Sequence, residues 1–158
     1  MAKQEYKKSD IAKQQLETAI GLFLNEVDYA SAITLAGAAD NILHQLVLNE
    51  GKQPFLDYAR DIHNVLNGFT PKRGSYKHHI DKKMGIANLK HMGPNCSAVI
   101  EIDLLQNAAN AIKKAIANYT TLYGDKEPMV VGFLKWCWVN EDGEAIMKAY
   151  NSLPKGVK

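Results

Sequence analysis

The hydrophobic residues of this chain recur at steps of three and four, which is the pattern of amphipathic helices. This spacing predicts helices at 10–26, 29–49, 54–67, 80–92 and 97–123, another from Pro128 onward, and a last one at 141–153. No segment alternates polar and apolar residues with the period of two that is typical of strands. We therefore predict an all-α protein with five to seven helices.

The second predicted helix, within Tyr29–Glu50, contains a patch of four small residues, Ala36–Ala39. Small side chains let a neighbouring helix approach closely, so we expect this helix at the centre of a helical bundle. We predict an up-down bundle of four or five core helices, formed by the first three helices and the long one, plus a short C-terminal helical extension. The predicted segments are a flexible N-terminus at 1–8, a bundle at 9–125, and an extension at 126–158 that packs on the bundle or on a dimer mate.

The composition is that of an ordinary globular domain, with 46% hydrophobic and 23% charged residues among 158. A net charge of +2 argues against a general nucleic-acid or membrane surface, although it allows a local basic patch. Cys96 and Cys137 lie outside any CxxC spacing and are expected to be reduced thiols. The start of the chain lacks the apolar core of a signal peptide, and no apolar run reaches the ~18 residues of a membrane span. We expect a cytoplasmic protein with no membrane partner.

The segment Asn88-Leu89-Lys90-His91 carries the first candidate chemistry. If it is helical, Asn88 and His91 share a face because they are three residues apart. An Asn that orients a phosphate, a Lys that attracts it and a His that shuttles a proton would suit RNA cleavage without a metal. The candidate catalytic residues are therefore His91, Asn88 and Lys90. The alternative is a polar helix end whose Lys and His interact with the helix dipole.

Residues 68–79, GFTPKRGSYKHH, form the most basic short stretch, and their turn chemistry predicts a loop. Arginine offers phosphate a bidentate fork and lysine a point charge, so this loop is a candidate nucleic-acid contact. Its candidate binding residues are Lys72, Arg73, Lys77, His78 and His79. The alternative is a solvated basic loop without a ligand.

Two further hypotheses concern a metal site and a protein partner. His78, His79 and Asp81 could hold a divalent cation, but adjacent histidines in a loop rarely converge on one ion without further ligands. We therefore predict no metal and no cofactor. Aromatic residues between 129 and 150 are expected to cover the bundle or to form a dimer contact. The alternative function is accordingly a non-catalytic protein–protein interaction module, a homodimer with no nucleic-acid role.

Three blocks of the chain together resemble a known family. They are LETAIGLF followed by YASAITLAGAADNILHQL, then NLKH, then Ile100–Tyr119 with the ending AIANYTTLYG. In this order they resemble the HEPN-like family of small, uncharacterised bacterial all-helical proteins, named for nucleotide binding in higher eukaryotes and prokaryotes. The resemblance covers about two-thirds of the chain.

The resemblance implies a bundle of four or five helices that often pairs as a dimer. In nuclease members, an Arg, a polar residue and a His four to six positions after the Arg cut RNA without metal, and two motifs meet across the dimer. No Arg precedes His91 at that distance, whereas Arg73 and His78 have the spacing with Gly74 in the polar position. The implied functions are binding of RNA or a nucleotide, a degenerate or metal-independent ribonuclease, or a toxin–antitoxin or defence component with a protein partner.

Overall fold

The computed structural model describes residues 2–155, so Met1 of the predicted N-terminal segment and residues 156–158 of the predicted extension lie outside the described part. These residues form eight helices and no strand, which confirms the all-α prediction. The helices are α1 Lys8–Leu24, α2 Tyr29–Asn49, α3 Phe55–Asn67, α4 Arg73–Lys83, α5 Ile86–Lys90, α6 Leu104–Tyr123, α7 Pro128–Asn140 and α8 Gly143–Ser152. Within the described range, no helix is both long enough and apolar enough to cross a membrane.

The core lies between α1, α2 and α6, which pack side by side. Its largest fully buried side chains include Leu16 and Phe23 of α1, Ile33 and Leu43 of α2, and Ile112 and Tyr119 of α6. Ala36, Gly37 and Ala39 are buried in the middle of α2, as the small-residue patch predicts. Asp28 is the N-cap of α2, because its carboxylate accepts a hydrogen bond from the Ser31 N–H at 3.0 Å. This and a second hydrogen bond from Ser31 lower the pKa of Asp28.

The prediction that the third helix belongs to the core is wrong. Helix α3 buries only Leu56, whereas α7 buries Val130, Phe133 and Cys137. The Phe133 ring packs edge-on against Phe23 of α1, with ring centroids 5.4 Å apart. Helix α7 is apolar on most of its circumference, so it can cover α1 and still leave apolar residues in solvent.

The prediction of a loop at 68–79 is also wrong, because α4 begins at Arg73. The turn residues occupy only the connection before it, where Gly68 ends α3 in the left-handed conformation (φ 79°).

The predicted helix at 80–92 is broken at Gly85, which has φ 78° and leaves α5 only five residues long. An added Cβ at Gly85 would lie 2.5 Å from Ile102, so the loop before α6 crosses the backbone closely at this point.

Helix α6 starts seven residues later than predicted. Asp103 adopts extended backbone and accepts a hydrogen bond from the Gln106 N–H at 2.9 Å, which makes it the N-cap. Residues 97–103 are therefore not helical, although their apolar residues continue the helical spacing.

Candidate nucleic-acid interface

Helix α4 has a face toward the protein and a face toward solvent. Tyr76, Lys77 and Ile80 are partly buried on the inner face. With 3.6 residues per turn, the outer face collects lysine and histidine side chains, all of them exposed. They are Lys72 at its N-cap, His78, His79, Lys82 and Lys83. Within residues 2–155, no side-chain hydrogen bond or ion pair engages them.

Charge is strongly segregated along the chain at this point. Residues 71–100 contain six Lys or Arg and a single acidic residue, Asp81, whereas the whole chain has a formal net charge of only +2. Asp81 lies on the inner face of α4, where Lys77 and Lys114 donate to its carboxylate. The outer face is therefore a basic surface without a carboxylate of its own.

The structure divides the five predicted nucleic-acid contacts into two groups. Lys72, His78 and His79 lie on the basic surface, whereas Arg73 and Lys77 form ion pairs with Asp57 and Asp81 respectively. Lys82 and Lys83 belong to the surface but were not predicted. In a helix at 73–83, the helical period places Lys82 and Lys83 on the same face as Lys72 and His79. The prediction of a loop in this segment is the reason that the sequence does not identify them.

Behind α4 lies a buried ionic network centred on Lys114 of α6. Its ammonium group is 2.7 Å from an Asp40 oxygen and 3.0 Å from an Asp81 oxygen, and its side chain is 3% exposed. Burial alone would lower the pKa of Lys114, but the charges and hydrogen bonds of the two carboxylates outweigh it and raise the pKa. Burial likewise opposes ionisation of Asp81, and Lys77 and Lys114 reverse that effect and lower its pKa.

Asn118, one turn after Lys114, extends the network to a fourth helix. Its amide nitrogen donates to Asp40 at 2.7 Å, and its amide oxygen accepts from the Phe55 N–H at 2.8 Å. The second bond satisfies an N–H group at the start of α3 that has no partner within the helix. The network therefore joins α2, α3, α4 and α6, and sequence reasoning missed it.

His44 lies one turn after Asp40 on α2, at the edge of this network. Burial lowers its pKa, and the nearby Arg73 acts in the same direction while Asp40 opposes both. The neutral imidazole is therefore favoured at neutral pH.

The three candidate catalytic residues lie around α5. Asn88 and His91 line an open groove of about 640 Å³, together with Lys82 of the basic surface and residues of the loop 96–100. Lys90 is exposed but does not line this groove. His91 is the C-cap of α5 and has extended backbone, so Asn88 and His91 do not lie three residues apart along one continuous helix, as the sequence predicts.

The groove combines polar and apolar groups. Met92 and Val99 line it and are 73% and 76% exposed, so apolar surface is accessible within the groove. The groove therefore places apolar side chains beside the Lys82 cation. Among the described residues that line it, His91 carries the only imidazole.

Within the described residues, His78, His79 and Asp81 do not converge as the alternative metal site requires. Both carboxylate oxygens of Asp81 accept from lysines, which leaves His78 and His79 without a third ligand. Across residues 2–155, no group of three His, Cys, Asp or Glu side chains is placed to hold a metal ion.

The chain matches no protein-family model, no curated protein and no solved structure. The resemblance to the HEPN-like family therefore stays a prediction.

Proposed function

We propose that this protein is a HEPN-like helical protein that binds single-stranded RNA through the basic surface of α4 and the adjoining groove at α5. The observation that carries the proposal is the segregation of charge, since 71–100 hold six Lys or Arg against one inward-facing carboxylate. Phosphate contacts supply much of the affinity of nucleic-acid-binding proteins. The eleven residues of α4 extend over about 16 Å, enough to face several phosphates of one strand.

The groove favours an unpaired strand over a duplex. Proteins that bind single strands commonly pair a cationic track with a surface on which bases can lie. Here Lys82 lies at the junction of the basic surface and the groove, and Met92 and Val99 offer the apolar contact. The Asn88 amide adds a donor and an acceptor for a base edge, which is accessible only when the base is unpaired.

Cleavage of the bound strand is the enzymatic form of the same proposal. His91 would take the proton of a 2′-hydroxyl, whose oxygen would attack the adjacent phosphorus to form a 2′,3′-cyclic phosphate. The bond from phosphorus to the 5′-oxygen would break, that oxygen would take a proton from water, and Asn88 would orient the phosphate. Incubation of a labelled RNA with wild type and with His91→Ala in the presence of a chelator separates the two forms. Cutting by the wild type alone would make the protein a ribonuclease, and intact RNA in both samples would exclude the enzymatic form and leave binding to be tested by itself.

The test of binding is the double variant Lys82→Glu with Lys83→Glu. We expect its affinity for an unstructured single-stranded RNA of about 15 nucleotides to fall at least tenfold, because two phosphate contacts become repulsive. Fluorescence anisotropy of the labelled RNA measures this loss. In the wild type the affinity should also fall steeply with salt, and the double variant should lower that logarithmic slope by about 1.4, or ~0.7 for each lost contact on a single strand.

The matched control is Lys135→Glu with Lys148→Glu. These two exposed lysines lie on α7 and α8, and the control changes the net charge by the same amount. We expect it to bind RNA as the wild type does. An equal loss of affinity in both double variants would assign the binding to net charge alone, and a wild type that binds no RNA in low salt would refute the proposal.

A second candidate function, a homodimeric interaction module, is favoured by the surface of α7 and α8. Trp138, Val139, Ile146, Met147 and Tyr150 are all exposed there, and α8 buries only Gly143. We expect Ile146→Asp to shift any dimer seen by sedimentation velocity toward monomer, because it places a charge on this apolar surface. Lys148→Asp on the same helix is the control, and a wild type that is monomeric at every concentration would exclude the dimer.

A further inference from the structure

Helix α4 is attached to the protein in a different way from the core helices. Helices α1, α2 and α6 bury five, eight and nine residues, whereas α4 buries none. Partly buried side chains such as Tyr76 and Ile80 give it some apolar contact, and the Tyr76 ring meets the His63 imidazole edge-on at 5.8 Å. Hydrophobic burial alone is therefore a weak determinant of where α4 lies.

Polar contacts from two other helices hold α4 in place. From α6, Lys114 donates to Asp81 at 3.0 Å, and the Asn107 amide donates to the Lys83 carbonyl at 3.3 Å. From α3, Asp57 accepts from the Arg73 guanidinium. The pair of Lys114 and Asp81 is the most buried of these contacts, with side chains 3% and 16% exposed, so solvent screens it least.

We propose that Lys114 is a positioning residue for the RNA surface, acting through Asp81 to hold α4 in the orientation that exposes its cations beside the groove. This inference rests on the proposed function. Lys114 is too deeply buried to contact a bound strand, so its effect on binding must pass through another residue. Asp81 provides that connection because it is the one carboxylate on α4 and pairs with Lys77 as well.

Charge repulsion makes this contact sensitive to substitution. Without the Asp81 charge, α4 and its N-cap would carry five Lys or Arg and no carboxylate. Lys77 and Lys114, which now share Asp81, would then face each other as like charges, with Asp40 still paired to Lys114 but no carboxylate paired to Lys77. Removal of this single negative charge should therefore release α4 while the core helices stay packed.

The experiment is hydrogen exchange of Asp81→Asn, which keeps the size of the side chain and one acceptor oxygen. We expect amides of 73–83 to exchange about tenfold faster than in the wild type, and amides of α2 to stay unchanged. The affinity for the single-stranded RNA should fall, and Asp81→Glu should restore both properties because it returns the charge. The control is Glu141→Gln, a carboxylate of nearly equal exposure (15%) that pairs with Lys113 at the end of α7.

The two proposals can fail separately. Equal acceleration across α2, α4 and α6 in Asp81→Asn would show a general loss of stability and overturn the positioning role. Selective release of α4 with undiminished RNA affinity would overturn it as well, since the orientation of α4 would then not matter for binding. Selective release in a protein whose wild type binds no RNA would refute the proposed function and leave the attachment of α4 through Asp81 supported.

Discussion

Replacement of Lys114 with Met is expected to lower the free energy of unfolding by about 3–5 kcal/mol, the usual cost of removing one partner from a buried ion pair. The variant leaves the Asp40 carboxylate, in a residue 2% exposed, without its cation. Met has a similar length and no charge, so the loss reports on electrostatics more than on packing. Urea unfolding followed by the helical circular-dichroism signal measures it.

Two further variants identify the cause of the loss. Lys113→Met changes the preceding residue, whose side chain is 36% exposed and pairs with Glu141, and it should cost less than about 1 kcal/mol. The double variant Asp40→Asn with Lys114→Met should recover much of the lost stability, because it removes the stranded charge as well as the cation. Equal losses at 113 and 114, or no recovery in the double variant, would contradict a buried network.

The sequence predicts the central helices well because their local and long-range signals agree. Asp28 is a capping residue directly before an apolar period of 3.6, and the structure starts α2 at Tyr29. The small residues of the same helix predict close packing, and they are buried. In α2 the capping residue, the helical period and the small residues all favour the same buried helix, so no competing conformation is favoured.

The sequence does not predict α4 because its stability comes from outside the segment. Gly74 and the preceding Thr70-Pro71 favour a turn, and the segment has no apolar stripe to indicate a buried face. The compensating contacts come from Asp57 and Lys114, which are 16 and 33 residues away from their partners Arg73 and Asp81. A local pattern carries no information about such distant ion pairs.

The same limit applies to the candidate interface. The sequence singles out Asn88 and His91, and the structure places both on one groove. The sequence gives no sign that Lys114 is the buried one among the Lys and Arg residues at 2–155. A lysine within an apolar helix normally extends to solvent, and only two facing carboxylates make its burial tolerable.

Close packing of α2 connects the core to the groove through Gly37. A Cβ at this position would lie 2.7 Å from a methyl carbon of Ile86, the first residue of α5. Ile86 is buried, and Asn88 and His91 follow it within five residues. The absence of a side chain at Gly37 therefore determines how near the groove residues lie to the core.

Gly37→Leu is expected to lower the free energy of unfolding by about 1–3 kcal/mol, because the new side chain must displace Ile86. Urea unfolding measures the loss, and the RNA affinity should fall with it because α5 carries Asn88 into the groove. Gly21→Leu is the matched control, since a Cβ at Gly21 of α1 meets no atom within 4 Å. Leucine is the better helix former, so the control should be at least as stable as the wild type. A Gly37→Leu protein of unchanged stability would show that α5 is not closely packed on α2. The position of the groove residues on α5 would then not depend on contact with the core.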